Sequence, residues 1–192
     1  MCFTSLKGSA MKVIVTGMFV VLLVLLSFAM PVIAQNKTIQ VGDTFPGFYL
    51  KDMDGSSFFL ADHVGEKAKV EHKAVIISLA ASYCKPCKKE IPEFAHMIEK
   101  YGDKGLAIFI VAVENAEQAK KLVAETKTTL PVLVDRYLIV PKRIGRDGIP
   151  CTLLLDPSGT VKFINTGFNE KNADEFIKKF ETEVAALLNA DS

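Results

Sequence analysis

Cysteine and histidine are scarce in this chain of 192 residues, which has four cysteines and three histidines. Four scattered cysteines are too few for a small scaffold stapled by disulfides, and the chain is long enough to bury an ordinary core without staples. A formal net charge of +1 gives no electrostatic reason to expect nucleic acid as a partner. The composition therefore indicates one globular domain rather than a disulfide-stapled or nucleic-acid-binding protein.

Charge is absent from a long N-terminal run, residues 13–34, which includes VVLLVLLSFAM and follows two lysines. Such a run is long enough to span a bilayer, and small or branched residues at Val32 and Ala34 suit signal peptidase cleavage before Gln35. No Leu-x-x-Cys motif ends the run, so a lipid anchor is not expected. We predict that residues 1–34 are a signal peptide or N-terminal membrane anchor, and that residues 35–192 form one domain in the periplasm or another extracytoplasmic space.

In residues 35–192, apolar runs alternate with helical patterns. The segment FYLKDMDGSSFFL alternates around Asp54 and Gly55, which predicts a β-hairpin. Residues 74–81 and 105–113 are continuous apolar runs, typical of strands buried on both faces. A helical pattern follows each run, and a second hairpin precedes a C-terminal amphipathic helix. The order predicts an α/β fold with a central mixed sheet flanked by helices and an added N-terminal β-hairpin.

Two cysteines lie three positions apart in the segment SYCKPCKKEIP. Cys84 follows a predicted strand and opens a predicted helix, whose free N–H groups stabilise a thiolate. Pro86 occupies the first turn, where its missing N–H does no harm. Cys84 could then attack a substrate disulfide, and Cys87, one turn further, could resolve the mixed disulfide. The spacing therefore favours thiol–disulfide exchange.

Three other uses of this cysteine pair are open. A zinc site would need two more ligands, and the remaining cysteines and histidines lack the usual paired spacing. Two thiolates could hold Cu(I) in a non-enzymatic copper- or partner-binding module. A purely structural disulfide would close only a tiny loop and stabilise little. We expect no metal and no cofactor beyond the disulfide, and we expect the histidines to be surface residues, namely His63, His72 and His96.

The segment CKPCKKEIP, the N-terminal hairpin and the segment DGIPCTLLLD together resemble the thioredoxin superfamily, and more narrowly its TlpA-like and ResA-like exported thiol–disulfide oxidoreductases. The resemblance covers about residues 39–189 and implies a thioredoxin fold. It makes Pro150 the candidate for a cis-proline, which with Ile149 would shape a groove for an extended substrate chain. The other candidate substrate-binding residues are those around the first cysteine: Tyr83, Lys85 and Pro86. Tyr83 stands where the family usually has tryptophan, and we expect it to keep a packing role.

The resemblance also implies a role for Glu90. ResA-like proteins carry a glutamate three residues after the second cysteine, which is thought to handle protons for the pair. Ser78 stands where ordinary thioredoxins carry a buried aspartate, so Glu90 is the nearest candidate acid or base. The alternative is a solvated glutamate on a charged helix face, beside Lys88 and Lys89.

Cys151 follows Pro150, where relatives usually carry threonine. It is either a small buried core residue, which is common for free cysteine, or a third thiol able to reach Cys84 or Cys87.

By resemblance, the expected activity is reduction of protein disulfides outside the cytoplasm, for example in cytochrome c maturation. Apocytochrome c would then be a substrate, and a membrane thiol carrier would supply electrons. One alternative is a thiol peroxidase, although the Pro-x-x-x-Thr-x-x-Cys motif of peroxiredoxins is absent before Cys84. Another is a DsbA-like oxidase, although the large helical insertion of that group is missing.

Overall fold

The computed structural model describes residues 38–168 and 173–189, which lie in one compact unit, Asn36–Ser192. The predicted N-terminal leader, residues 1–34, lies outside the described residues. The strands are β1 Tyr49–Asp52, β2 Ser57–Phe59, β3 Ala74–Ala80, β4 Leu106–Ala112, β5 Val132–Val134, β6 Cys151–Leu155 and β7 Val161–Thr166. The helices are α1 Lys85–Tyr101, α2 Ala116–Thr126, α3 Ile139–Ile144 and α4 Ala173–Leu188. In the described ranges, no helix combines the length and apolar character needed to cross a membrane.

The seven strands form one mixed sheet in the order β2-β1-β5-β4-β3-β6-β7. Strands β3, β4 and β5 run parallel to one another. Strand β1 pairs antiparallel with β2 and β5, and β6 pairs antiparallel with β3 and β7. The central strands β3 and β4 are buried along their whole length, as their continuous apolar runs predict. The predicted mixed sheet with an N-terminal hairpin is therefore confirmed.

The sheet separates two core layers. One layer, here called the α1 layer, contains Ile91 and Phe94 of α1 together with apolar residues of α2 and α4. The other, here called the hairpin layer, contains Phe48 and Leu50 beside residues of α3. Because side chains of a strand alternate between its faces, even-numbered residues of β3 and β6 face the α1 layer. Odd-numbered residues of these strands face the hairpin layer.

The N-terminal hairpin turns at Asp54 and Gly55, as the sequence predicts. Gly55 has φ 87°, a left-handed conformation that glycine adopts without the steric cost of a Cβ. The Asp52 Oδ1 atom accepts hydrogen bonds from the backbone N–H groups of Asp54 (3.0 Å) and Ser56 (2.8 Å). An aspartate that bonds nearby backbone groups in this way favours a tight turn over continued pairing.

The loops that carry the candidate site meet at one edge of the sheet. The Val113 N–H donates to the Ala80 carbonyl (2.9 Å), and the Asp135 N–H donates to the Ala112 carbonyl (2.8 Å). These bonds hold the carboxyl ends of β3, β4 and β5 side by side. Strand β6 runs antiparallel to β3 and pairs Cys151 with Leu79, so β6 begins at this same edge. Ligands and substrates of open α/β sheets commonly bind at such an edge.

The prediction of three surface histidines is right for His96 and wrong for the other two. His63 and His72 are half-buried, and their rings stack with centroids 5.3 Å apart and a nitrogen–nitrogen distance of 3.1 Å. The His63 ring also stacks on Phe58. The polar sequence around the two histidines does not indicate that Phe58 of the N-terminal hairpin stacks on the His63 ring.

Candidate active site

Cys84 and Cys87 form a disulfide at the amino end of α1. Cys84 is the N-cap residue, and its Sγ accepts a hydrogen bond from the Cys87 backbone N–H at 3.2 Å. Cys84 is 6% exposed, whereas Cys87 is fully buried. The pair is therefore asymmetric: the first cysteine retains a small exposed surface and the second retains none.

The local sequence explains why the helix begins here. Cys84 has extended backbone angles, φ −84° and ψ 99°, and its N–H closes a turn on the Ala81 carbonyl at 3.0 Å. Pro86 follows in the first turn, where no intrahelical partner is needed for a backbone N–H. The first turn has no acidic residue. Lys85 adds an exposed positive charge to the helix end, whereas Lys88 forms an ion pair with Glu125 at 2.6 Å. This environment favours a thiolate at Cys84 in the reduced protein.

Three of the predicted substrate-binding residues are neighbours of the disulfide cysteines in the chain. Tyr83 is 70% exposed, and Lys85 and Pro86 are exposed as well. The expected packing role of Tyr83 is therefore wrong: its ring projects to solvent beside the disulfide. On the other side, the Ile149–Pro150 peptide bond is cis. Ile149 packs against both core layers, and the strand register places Pro150 level with the end of β3.

Glu90 is fully buried, which excludes the alternative of a solvated glutamate. Its Oε1 accepts a hydrogen bond from the Thr152 hydroxyl at 3.0 Å, and its Oε2 lies 3.5 Å from the Ser78 hydroxyl. The two hydroxyls are also 3.2 Å apart. Ser78 and Thr152 are cross-strand partners on β3 and β6, so the sheet delivers both hydroxyls to the face that α1 covers.

Burial raises the pKa of Glu90 to about 8, because the surrounding core penalises the charged form. Hydrogen bonds from Thr152 and Ser78 stabilise the carboxylate and offset part of that effect. A count of protons favours the same state. The side chains of Ser78, Glu90 and Thr152 make three oxygen–oxygen contacts, and each contact needs one proton to be a hydrogen bond. The two hydroxyls supply two protons, so the third must come from a protonated Glu90 carboxyl.

Cys151 is a free, fully buried thiol. Its odd position on β6 places it in the hairpin layer, whereas Cys84 and Cys87 belong to the α1 layer. Burial raises the pKa of the Cys151 thiol to about 11, so the reactive thiolate form is rare at neutral pH. Of the two interpretations of Cys151, the structure favours the buried core residue over the third exchanging thiol.

We expect Cys151 to resist alkylation by iodoacetamide in the folded protein, whether the disulfide is oxidised or reduced. The physical reasons are its burial and its raised pKa. Mass spectrometry of alkylated samples would measure the modification, with denatured protein as the positive control. Rapid modification of Cys151 in the native reduced protein would contradict the placement of this thiol in the hairpin layer.

Sequence reasoning missed two members of the site, Thr152 and Glu114. Thr152 could have been found from Ser78, because a single hydroxyl inside a buried apolar strand needs a partner on a neighbouring strand. Glu114 follows β4 directly and is only 6% exposed. Its two carboxylate oxygens accept hydrogen bonds from the Ser82 N–H (2.8 Å) and the Ser82 hydroxyl (2.9 Å). A carboxylate at the end of a buried strand was the available signal.

Among residues 38–168 and 173–189, no three His, Cys, Asp or Glu side chains are grouped so that they could hold a metal ion. The chemically distinctive groups at the sheet edge are the disulfide, the buried Glu90 carboxyl and the cis-proline turn. A dithiol pair at the start of a helix, level with a cis-proline on an adjacent strand, defines a thioredoxin-like protein built for thiol–disulfide exchange.

The chain belongs to the AhpC/TSA family, whose model matches residues 41–164. It is 31% identical over 134 residues to the thiol-disulfide oxidoreductase ResA of Geobacillus thermodenitrificans (strain NG80-2), covering 69% of this chain and 73% of that protein. It is 33% identical over 145 residues to the thioredoxin-like protein YneN of Bacillus subtilis (strain 168), covering 71% of this chain and 78% of that protein.

Solved structures agree with these relatives. A protein from Chlorobium tepidum named as thiol:disulfide interchange protein DsbE superposes with a TM-score of 0.68 and 26% identity, over 79% of this chain and 100% of that chain. The predicted thioredoxin fold and the predicted ResA-like kinship are thus confirmed. The chain is a thiol–disulfide oxidoreductase.

Proposed function

We propose that this enzyme reduces protein disulfides outside the cytoplasm through a redox-active Cys84–Cys87 pair and without any other cofactor. The observation that carries the proposal is the asymmetry of the pair. Cys84, the N-cap residue of α1, retains a small exposed fraction of 6%, and Cys87 is fully buried. This is the arrangement that separates an attacking thiol from a resolving thiol.

The reaction would proceed in two exchanges. The Cys84 thiolate attacks one sulfur of the substrate disulfide, and the other substrate sulfur leaves as a thiolate. Cys87 then loses its proton and attacks Cys84, which releases the second substrate thiolate and forms the Cys84–Cys87 disulfide. Two electrons pass to the substrate in each cycle, so an external dithiol must reduce the enzyme again.

Glu90 is proposed as the acid and base for the resolving thiol. It lies one helical turn after Cys87 and is buried in the same core layer. A carboxyl with a pKa of about 8 can accept and return a proton near neutral pH, which a solvated glutamate cannot do efficiently. The hydroxyls of Ser78 and Thr152 would hold the carboxyl in place in both protonation states.

An extended substrate segment would lie across the disulfide, between the start of α1 and the cis-proline turn. On one side would be the exposed side chains of Tyr83, Lys85 and Pro86, and on the other the backbone of Ile149, which is half-buried, and Pro150, which is buried. Proline has no N–H of its own, so the substrate would pair with backbone groups beside it. The Tyr83 ring offers an apolar face to the residues that flank a substrate cysteine.

The proposal also includes where the enzyme acts, which substrates it reduces and which donor supplies its electrons. The uncharged run at residues 13–34 and its preceding lysines support export, with cleavage or anchorage of residues 1–34. Protein disulfides are the proposed substrates, with apocytochrome c among them, and a membrane thiol carrier is the proposed electron donor. Both partners are inferred from the ResA-like relatives.

The equilibrium reduction potential of the Cys84–Cys87 pair tests the direction of the reaction. We expect a value near that of thioredoxin, roughly −270 mV, or lower. The potential would be measured on the purified protein, equilibrated with dithiothreitol and with glutathione buffers and quantified by alkylation and mass spectrometry. A Cys151→Ala variant is the control that removes the third thiol from the count. A potential near −120 mV would instead identify an oxidant and overturn the reductase proposal.

A further inference from the structure

The turn before the disulfide is tied to a buried carboxylate from another loop. Glu114 uses both of its oxygens to accept hydrogen bonds from Ser82, at 2.8 Å from the backbone N–H and 2.9 Å from the hydroxyl. Accepting through both oxygens is the bonding pattern of an ionised carboxylate. Charge-assisted hydrogen bonds of this kind are stronger than neutral ones, and Ser82 is two residues before Cys84.

The loop that carries Glu114 is itself held firmly. Val113 donates its N–H to the end of β3 at Ala80. Asn115 is the N-cap of α2, where its side chain accepts from the Gln118 N–H at 3.0 Å and Gln118 bonds back to the Asn115 N–H. Glu114 is therefore fixed from both sides, and it can set the position of the turn between Ser82 and Cys84.

The charge of Glu114 has a second consequence. A carboxylate near the amino end of α1 opposes the positive field that stabilises a thiolate at Cys84. Stabilising the reduced, thiolate form makes a dithiol pair more oxidising, so opposing that effect makes the pair more reducing. Positive charge from neighbouring lysines stabilises the Cys84 thiolate and raises the reduction potential of the pair, whereas the charge of Glu114 lowers it. The balance of these effects would set the potential.

We propose that Glu114 is a positioning residue for the exchange reaction: it holds the turn before Cys84 and, through its charge, keeps the Cys84–Cys87 pair more reducing than the turn alone would make it. The inference rests on the proposed role of Cys84 as the attacking thiol. Glu114 would act through Ser82 and through its field, without contact with the substrate.

The test compares three variants of the full chain. Glu114→Gln removes the charge and keeps groups that can bond both atoms of Ser82. Ser82→Ala removes one donor and leaves the carboxylate less neutralised. Glu117→Gln removes a charge from an exposed side chain in the first turn of α2 and is the matched control. For each variant, the equilibrium constant against glutathione and the ultraviolet titration of the Cys84 thiolate would be measured.

We expect Glu114→Gln to shift the equilibrium towards the reduced enzyme by about threefold to tenfold, where a tenfold change corresponds to about 30 mV. The pKa of the Cys84 thiol should fall in the same variant. Ser82→Ala should shift the equilibrium the opposite way, by less than about threefold, and Glu117→Gln should leave it unchanged because solvent screens its charge. Both Glu114→Gln and Ser82→Ala alter the contact between Glu114 and Ser82. If that contact had only a structural role, the two variants should not shift the redox equilibrium constant in opposite directions.

Unchanged equilibrium constants in both Glu114→Gln and Ser82→Ala, with only a lower unfolding temperature, would overturn the inference. If Glu114→Gln does not fold, Ser82→Ala still decides, because an upward or absent shift in its potential contradicts the proposed field. A Cys84→Ser variant separates this inference from the proposed function. If that variant keeps reductase activity, the role of Cys84 is wrong. If it is inactive while Glu114→Gln titrates like the parent, only the role of Glu114 is wrong.

Discussion

Replacing Cys84 with serine is expected to abolish disulfide reduction, with a loss of at least roughly 1,000-fold in turnover. Serine is close to cysteine in size and supplies a hydroxyl oxygen as the N-cap acceptor in place of the sulfur, so the fold should survive. It offers no thiolate to attack a disulfide. Turnover would be measured with a model protein disulfide and dithiothreitol as the electron donor.

Replacing Cys87 with serine should give a different failure. The first exchange should still occur, because Cys84 keeps its thiol and its small exposed surface, but no thiol is left to resolve the product. A mixed disulfide between Cys84 and the substrate should therefore accumulate to about one equivalent and be visible by mass spectrometry. Cys151→Ala serves as the control and should stay within about twofold of the parent. Full turnover by Cys84→Ser, or trapping through Cys151, would contradict the assigned roles.

Replacing Glu90 with glutamine should change how stability depends on pH. The folded-state pKa of Glu90, about 8, lies above the ordinary value of 4.5, so the folded protein binds this proton more tightly than the unfolded chain does. The stability contributed by the protonated carboxyl is complete below pH 4.5 and is lost as the pH rises towards 8. The full loss is on the order of 4 kcal/mol.

In the Glu90→Gln variant this loss should disappear, because glutamine stays neutral and can still bond both hydroxyls. We expect the variant to gain on the parent in free energy of unfolding between about pH 5 and pH 8, by several kcal/mol at the alkaline end. Urea unfolding at a series of pH values would measure it, with Glu93→Gln on the same helix as control. Parallel curves for Glu90→Gln and the parent would contradict a buried, protonated Glu90.

The same variant tests the proposed catalytic role. Without a group that takes the proton from Cys87, resolution of the mixed disulfide should slow by roughly 100-fold, the lower end of what a general acid or base contributes. The first attack by Cys84 should be affected much less. Stopped reactions analysed for mixed disulfide would separate the two steps, and equal slowing of both would point to a disturbed fold instead.

The fold could be predicted well from sequence because its signals are local. The continuous apolar runs of β3 and β4 and the turn at Asp54 and Gly55 each depend on neighbouring residues. The structure reproduces them. The position of the disulfide at the start of α1 also follows from one short segment.

What could not be predicted depends on contacts between distant segments. Whether Glu90 is solvated or buried is decided by Ser78 and Thr152, and Thr152 is 62 residues away along the chain. Two lysines directly precede Glu90 in the sequence, so the sequence alone left both outcomes open. The bonds from Ser82 to Glu114 span 32 residues, and the His63 ring stacks on Phe58 of the N-terminal hairpin. For Glu90, the register of β3 and β6 supplies the missing information, because it pairs Ser78 with Thr152.

The two core layers determine how many thiols can take part in the exchange. Side chains of β6 alternate between the two faces of the sheet, so a shift of one residue in its pairing with β3 would exchange the faces on which Cys151 and Thr152 lie. A third thiol would then stand beside the dithiol, and Glu90 would lose a hydroxyl partner. The register that brings Thr152 to Glu90 therefore also keeps the Cys151 thiol on the opposite face of the sheet from Cys84 and Cys87. Because Cys151 takes no part in the exchange, each molecule stores and delivers one pair of electrons.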